Sequence, residues 1–188
     1  MAGERTDRSK LGEARTTVVL VDERGTALGT EEKIAAHQPP GRLHLAFSVV
    51  LYREDGYTLL QQRAKTKYHF PLAWANACCS HPSPGDDLVE SAQARVKEEI
   101  GVECRLLDVG TVIYRAECAS SGLVEHELDH VLIGTTNEEP VFDDVEVAAV
   151  EWADPNEVLR VSPVNAAPWL VPVLRVAEAG RRGTTMPR

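Results

Sequence analysis

No apolar run in the sequence approaches the roughly 20 residues that a membrane-crossing helix requires, so a helical span is not expected. Positive charge is also in deficit: 20 Lys and Arg stand against 29 Asp and Glu, a formal net charge of −9. Nonspecific nucleic-acid binding depends on a basic face and is set aside, whereas a pocket of a few cations for a small anion is not. Cysteine is scarce. The four, at 78, 79, 104 and 118, include one adjacent pair and lack the spacing of a secreted disulfide framework. A bridge between adjacent residues would be strained, so free thiols in a reducing, cytoplasmic setting are expected. The opening stretch "MAGERTDRSKLGEARTT" is polar, without the apolar segment of a signal peptide. No internal repeat and no Gly-, Ser- or Pro-rich linker divides the middle.

What is present is one body of mixed signals. Residues 1–16 read as a mobile arm, 17–178 as a single domain, and 179–188 as a tail. "TTVVLVDERGTALG" predicts a hairpin turning at Glu23–Gly25, and "REDG" leads into a second. "LHLAFSVVLY" alternates, with Leu43, Leu45, Phe47, Val49 and Leu51 on one face. "DDLVESAQARVKEEIG" predicts a helix, opened by Asp87 with Glu90 three residues on and stopped by Gly101. Strands are expected at about 109–116, 123–134 and 147–152, and a last helix near Pro168. Strands and helices in this order predict an α+β fold.

The stretch "ANACCSHP", residues 75–82, offers three chemistries: metal binding, nucleophilic attack and proton transfer. His37, His44 and His81 precede the predicted helix, and the alternation in "LVEHELDHVL" places Glu125 and Glu127 on one strand face. His44 projects beside the small residues Ala46 and Ser48, which leave room for a ligand. Were these strands neighbours, imidazoles and carboxylates would converge on one divalent ion, a donor set that suits Zn, Mn, Fe or Mg. The ordinary alternative for each is a solvated or satisfied side chain. His126 and His130 fall on the opposite face, and His69 in "KYHFP" reads as loop surface.

Taken in order, "EKIAAHQPPGRLHLAFSVVL", "WANACCSHP", "KEEIGV", "YRA", "VEHE" and "APW" resemble the type I isopentenyl-diphosphate isomerases. The matches run from about Asp22 to Trp169. The resemblance implies a Nudix-like mixed sheet flanked by helices. The implied reaction interconverts isopentenyl and dimethylallyl diphosphate, small homoallylic and allylic substrates of isoprenoid biosynthesis. It implies Cys79 and Glu127 as acid and base, Tyr114 assisting the carboxylate, and Trp169 stabilising a carbocation. Lys33, Arg63, Lys67 and Arg95 match diphosphate contacts. The implied metal set is His37, His44, His81, Glu125 and Glu127 around one divalent ion (Mn, Zn or Mg). Glu99 and the Cys79 region would meet a Mg2+ that accompanies the diphosphate.

A Nudix hydrolase is the rival within enzymes. Its box ends R-E-U-x-E-E-x-G-U, where U is bulky and apolar; here the stretch is "ARVKEEIGV", residues 94–102. Arg95 stands where a hydrolase has a metal-binding Glu, and Ser80 where the box opens with Gly. A cation in that place removes a magnesium contact and fits holding a diphosphate instead. A nonenzymatic binding module on the same fold is the third reading; it has no need of Cys79, Glu127, Tyr114 and Trp169 together. The acidic stretch "NEEPVFDDVEV" reads as a solvated loop without a role.

Overall fold

Strand β3, His44–Tyr52, organises the sheet because seven of its nine side chains are apolar and both of its faces are covered. The computed structural model describes residues 16–184, so the expected arm before Thr16 and the end of the expected tail lie outside the described residues. One edge of β3 pairs in parallel along its whole length with β8 (Val124–Thr135). The other edge meets three short partners in turn: β1 (Thr17–Val21), β6 (Cys78–Ser80) and β4 (Thr58–Arg63). β2 (Ala27–Glu32) closes the first hairpin on β1, and β7 (Leu107–Glu117) runs antiparallel to β8. β5 (Trp74–Asn76) and β9 (Val147–Ala153) extend the sheet from β4. Among the described residues the sheet has nine strands.

Two helices cover it. α2, Leu88–Ile100, buries Ala92, Val96 and Ile100 against Phe47, Val49 and Leu51. On the opposite face α4, Leu170–Gly183, buries Leu170, Val173, Leu174 and Ala177 against Val50, Tyr52, Val131 and Ile133. Each valine, leucine and isoleucine among them contributes about 1.5–3 kcal/mol of burial free energy. The alternation at Leu43 to Leu51 therefore marks only one of two covered faces, and Leu43 and Leu45 themselves are half-buried. Two shorter helices lie in connections, α1 (Lys33–His37) between β2 and β3 and α3 (Pro155–Arg160) between β9 and α4.

Helix α2 starts and stops where the sequence indicates. The Asp87 carboxylate accepts the Val89 and Glu90 amides, a cap worth about 0.5–2 kcal/mol. Gly101 takes φ 70°, and a Cβ there would meet the Val141 carbonyl oxygen at 2.7 Å, so glycine is required twice over. Helix α4 corrects the expected tail: it continues through Ala179 to Gly183. Glu178 is buried and pairs with Arg181, and Gly180 sits so close to β7 that a Cβ would meet Val109 Cβ at 2.4 Å.

The register positions the chemistry. His44 lies opposite Glu127, Tyr114 opposite Glu127 from the other side, and Ser48 opposite Cys79. Because side chains alternate, Glu125, Glu127 and Asp129 share the face of His44 and Ser48.

Candidate active site

The adjacent cysteines point to opposite faces of β6. Cys78 is fully buried in the core beneath α2, with Phe47 and Val96. Cys79 turns the other way. Its Sγ accepts the Trp169 indole N–H (3.2 Å) and the Ser48 hydroxyl (3.5 Å), and its thiol donates to Asn76 Oδ1 (3.2 Å). Asn76 is itself fixed, donating Nδ2 to the carbonyls of Val49 and Cys78 at 3.0 Å each. Burial and the Asp129 carboxyl push the Cys79 thiol up to about 12, against the Ser48 and Trp169 donors. At neutral pH Cys79 therefore holds its proton.

His37, His44, His81 and Glu127 bring four potential ligand atoms within 4.8 Å of one another. His37 and His44 are fully buried, and His81 and Glu127 are nearly so. His37 Nδ1 donates to the Lys33 carbonyl (2.6 Å) and His44 Nδ1 to the Arg42 carbonyl (2.8 Å). In neutral rings this leaves both Nε2 lone pairs facing the cluster, the orientation a metal ligand needs. His44 Nε2 lies 3.1 Å from His81 Nε2, and His37 Nε2 lies 3.0 Å from Glu125 Oε2. Such a crowd of lone pairs calls for positive charge at its centre. His37 reports the same demand: burial disfavours its charged form, yet the Glu125 carboxylate outweighs burial and raises its pKa. The donor set fits a divalent cation.

Glu127 belongs to the cluster and also lines the cavity that Cys79 borders. Burial disfavours its charge, but His44 and His81 more than compensate and hold its pKa well below the usual carboxylate range. His81 Nε2 stands 2.8 Å from Glu127 Oε1, and burial with the Lys33 charge depresses the His81 imidazole to about 3. The Tyr114 hydroxyl donates to Glu127 Oε2, and burial followed by the Glu127 charge raises its pKa far above normal. Trp169, the residue that opens α4, is 2% exposed; Tyr114 stacks alongside it at 6.0 Å and Phe70 meets it edge-on at 5.3 Å.

A single cavity of about 230 Å³ is lined by Cys79, Glu127, Tyr114 and Trp169. Lys33, Arg63, Lys67 and Arg95 line it too, as do His81 and Glu125. The volume lies below the roughly 300–1,000 Å³ of drug-sized pockets and suits a smaller molecule. Arg63 stacks its guanidinium 5.5 Å from the Trp169 ring centre. The Nε atoms of Arg63 and Arg95 are buried without a partner among the described residues, which leaves donors for an anion. Arg95 also holds the two remaining carboxylates of the degenerate hydrolase box, Glu98 at 2.8 Å and the buried Glu99. Glu99 therefore stands apart from the histidine cluster and outside the cavity lining, with Gln61 as its other partner (3.4 Å). Cys79 also lies outside the four-residue cluster.

Several residues have no place in the sequence reading. His69, expected on a loop surface, is 8% exposed and contacts Glu125. Glu146, in the stretch read as having no role, lines the cavity and pairs with Lys67. Asp129 is fully buried and accepts the Ser48 hydroxyl at 2.7 Å; its parity with Glu125 and Glu127 was the available signal. For Asn76 no local pattern pointed to the site.

The NUDIX domain model matches residues 42–175. An isopentenyl-diphosphate Delta-isomerase of Nocardia farcinica is 49% identical over 168 residues, spanning 88% of this chain and 96% of that protein. One of Streptomyces coelicolor is 44% identical over 183 residues, spanning 96% and 93%. Among solved structures, a Deinococcus radiodurans protein superimposes with TM-score 0.69 at 18% identity, covering 85% of this chain and 97% of that one. A MutT protein of Methanosarcina mazei gives 0.62 at 15%, covering 74% and 96%. The distant structures share the fold alone. At nearly half identity across almost the whole length, with the same domain model matched, the chain belongs to the type I isopentenyl-diphosphate Delta-isomerase family of the Nudix superfamily.

Proposed function

We propose that Cys79 and Glu127 perform the double-bond shift between isopentenyl and dimethylallyl diphosphate, the activity that family membership gives this chain. One observation carries the assignment: a protonated thiol from β6 and an ionised carboxylate from β8 border the same small cavity. An alkene has no carbonyl to polarise, so one group must deliver a proton to a terminal carbon, leaving a tertiary carbocation. The other removes a proton from the neighbouring carbon, and the double bond reforms one place along. One proton enters and one leaves, so each group gives in one direction and takes in the other.

Trp169 supports the cationic intermediate with its indole face, worth about 0.5–2 kcal/mol in a dry site. Tyr114 orients Glu127 through its hydroxyl. His37, His44, His81 and Glu127, with Glu125 beside them, would hold one divalent ion, and the imidazoles favour Mn or Zn over Mg. When bound, that ion would supply fixed positive charge beside Glu127 and lower its proton affinity. Lys33, Arg63, Lys67 and Arg95 take the diphosphate. Glu99, paired with the cavity-lining Arg95, would with the Cys79 backbone region hold the Mg2+ that accompanies the diphosphate. Four free thiols, at Cys78, Cys79, Cys104 and Cys118, are compatible with a reducing cytoplasm, and no described helix is long and apolar enough to cross a membrane.

Incubating the metal-loaded protein with isopentenyl diphosphate in D2O should give dimethylallyl diphosphate carrying deuterium, read by NMR. Release of phosphate without exchange would return the hydrolase reading. Lys67→Ala should raise KM about 10-fold or more with kcat nearly unchanged, because a charged hydrogen bond worth about 1.5–3 kcal/mol is made equally in ground and transition states. A fall in kcat at constant KM would place Lys67 in the chemistry instead.

A further inference from the structure

We infer that His69 is a positioning residue for the metal centre, acting through Glu125; this rests on the metal site proposed above. His69 lies in the β4–β5 connection, where sequence predicts surface, yet it is 8% exposed. Its Nδ1 contacts Glu125 Oε1, while Glu125 Oε2 faces His37 Nε2 at 3.0 Å. The Glu125 carboxylate is thus gripped at both oxygens, by a candidate ligand on one side and by His69 on the other. The His69 ring centre stands 5.6 Å from that of His37, which adds a fourth imidazole at the border of the cluster.

Nδ1 and Oε1 touch without the alignment of a hydrogen bond, and neither has another partner among the described residues. Removing the ring therefore takes the imidazole contact away from that buried carboxylate oxygen and leaves its orientation unsupported on that side. The backbone holds the ring in place from both sides. The His69 carbonyl accepts Arg63 Nη2 (3.1 Å), and the next amide, Phe70 N–H, donates to Cys118 Sγ (3.1 Å). A carboxylate tied at one oxygen presents the other to a cation in a single orientation. Partners that orient ligands in this way are typically worth about 10–100-fold in metal affinity. Arg63 ends β4 just before this loop and bonds the His69 carbonyl, so the metal and diphosphate subsites share one support.

The test is Zn2+ binding to the metal-stripped full chain, measured by competition with a chromophoric chelator. Wild type should bind one equivalent tightly, and His69→Ala about 10–100-fold more weakly. His69→Asn, whose amide N–H can stand near the place of Nδ1–H, should recover most of the loss. Circular dichroism melts of the metal-free proteins check that each variant is folded. Equal affinity in folded His69→Ala would overturn the inference while leaving the metal site intact. Failure of wild type itself to bind would instead remove the proposed metal site. A His69→Asn variant as weak as His69→Ala would also overturn the positioning role, because an N–H placed near Glu125 Oε1 would then not be what supports the site.

Discussion

Glu127→Gln is expected to cut turnover by about 10⁴-fold or more. General acid–base assistance alone supplies about 10²–10⁴, and this side chain also belongs to the candidate metal cluster. The amide preserves shape, but its NH2 cannot serve as an anionic ligand or take a proton. It further disturbs a site in which Tyr114 donates to one oxygen and His81 meets the other. The measurement is isomer conversion followed by NMR, with metal content assayed in the same sample. Wild-type turnover in a metal-loaded Glu127→Gln protein would exclude Glu127 as one of the two proton-transferring groups.

The second large effect separates two neighbouring sulfurs. Cys79→Ala should reduce kcat by about 10²–10⁴-fold, because it removes the proton carried beside Trp169 and Ser48. Cys78→Ala should leave kcat nearly unchanged and cost about 1 kcal/mol of stability, as an ordinary core truncation would. Paired kinetics and thermal melts distinguish the two. If Cys78→Ala were the inactive variant, the strand would have to sit one residue out of the register described. The high thiol pKa adds a sign: Cys79 loses its proton only as pH rises toward about 12, so its donor form persists throughout the neutral range.

Local patterns made part of this legible. Asp87 and Gly101 bracketed α2, because capping and a left-handed stop are chemistry of a few adjacent residues. Period-two alternation puts Glu125 and Glu127 on one face, and the same parity holds for Asp129. The meeting of β3 with β8 was not legible from either strand alone. Parallel pairing of residues more than 80 positions apart leaves no local trace, and the family resemblance supplied it. His69 and Glu146 escaped for another reason: both occupy connections whose composition is polar, and burial there comes from what folds over them. The short strand β6 was likewise hidden, although the cysteine doublet inside it was the strongest signal in the chain.

Trp169 opens α4 and also donates to Cys79, so one residue serves both the packing of that helix and the sulfur proposed to carry the proton. Detachment of α4 would strip the indole from the Cys79 thiol while the strands stayed paired. Loss of activity under mild heating or limited proteolysis would therefore precede loss of the sheet, and catalytic competence would report first on how firmly the C-terminal end is docked.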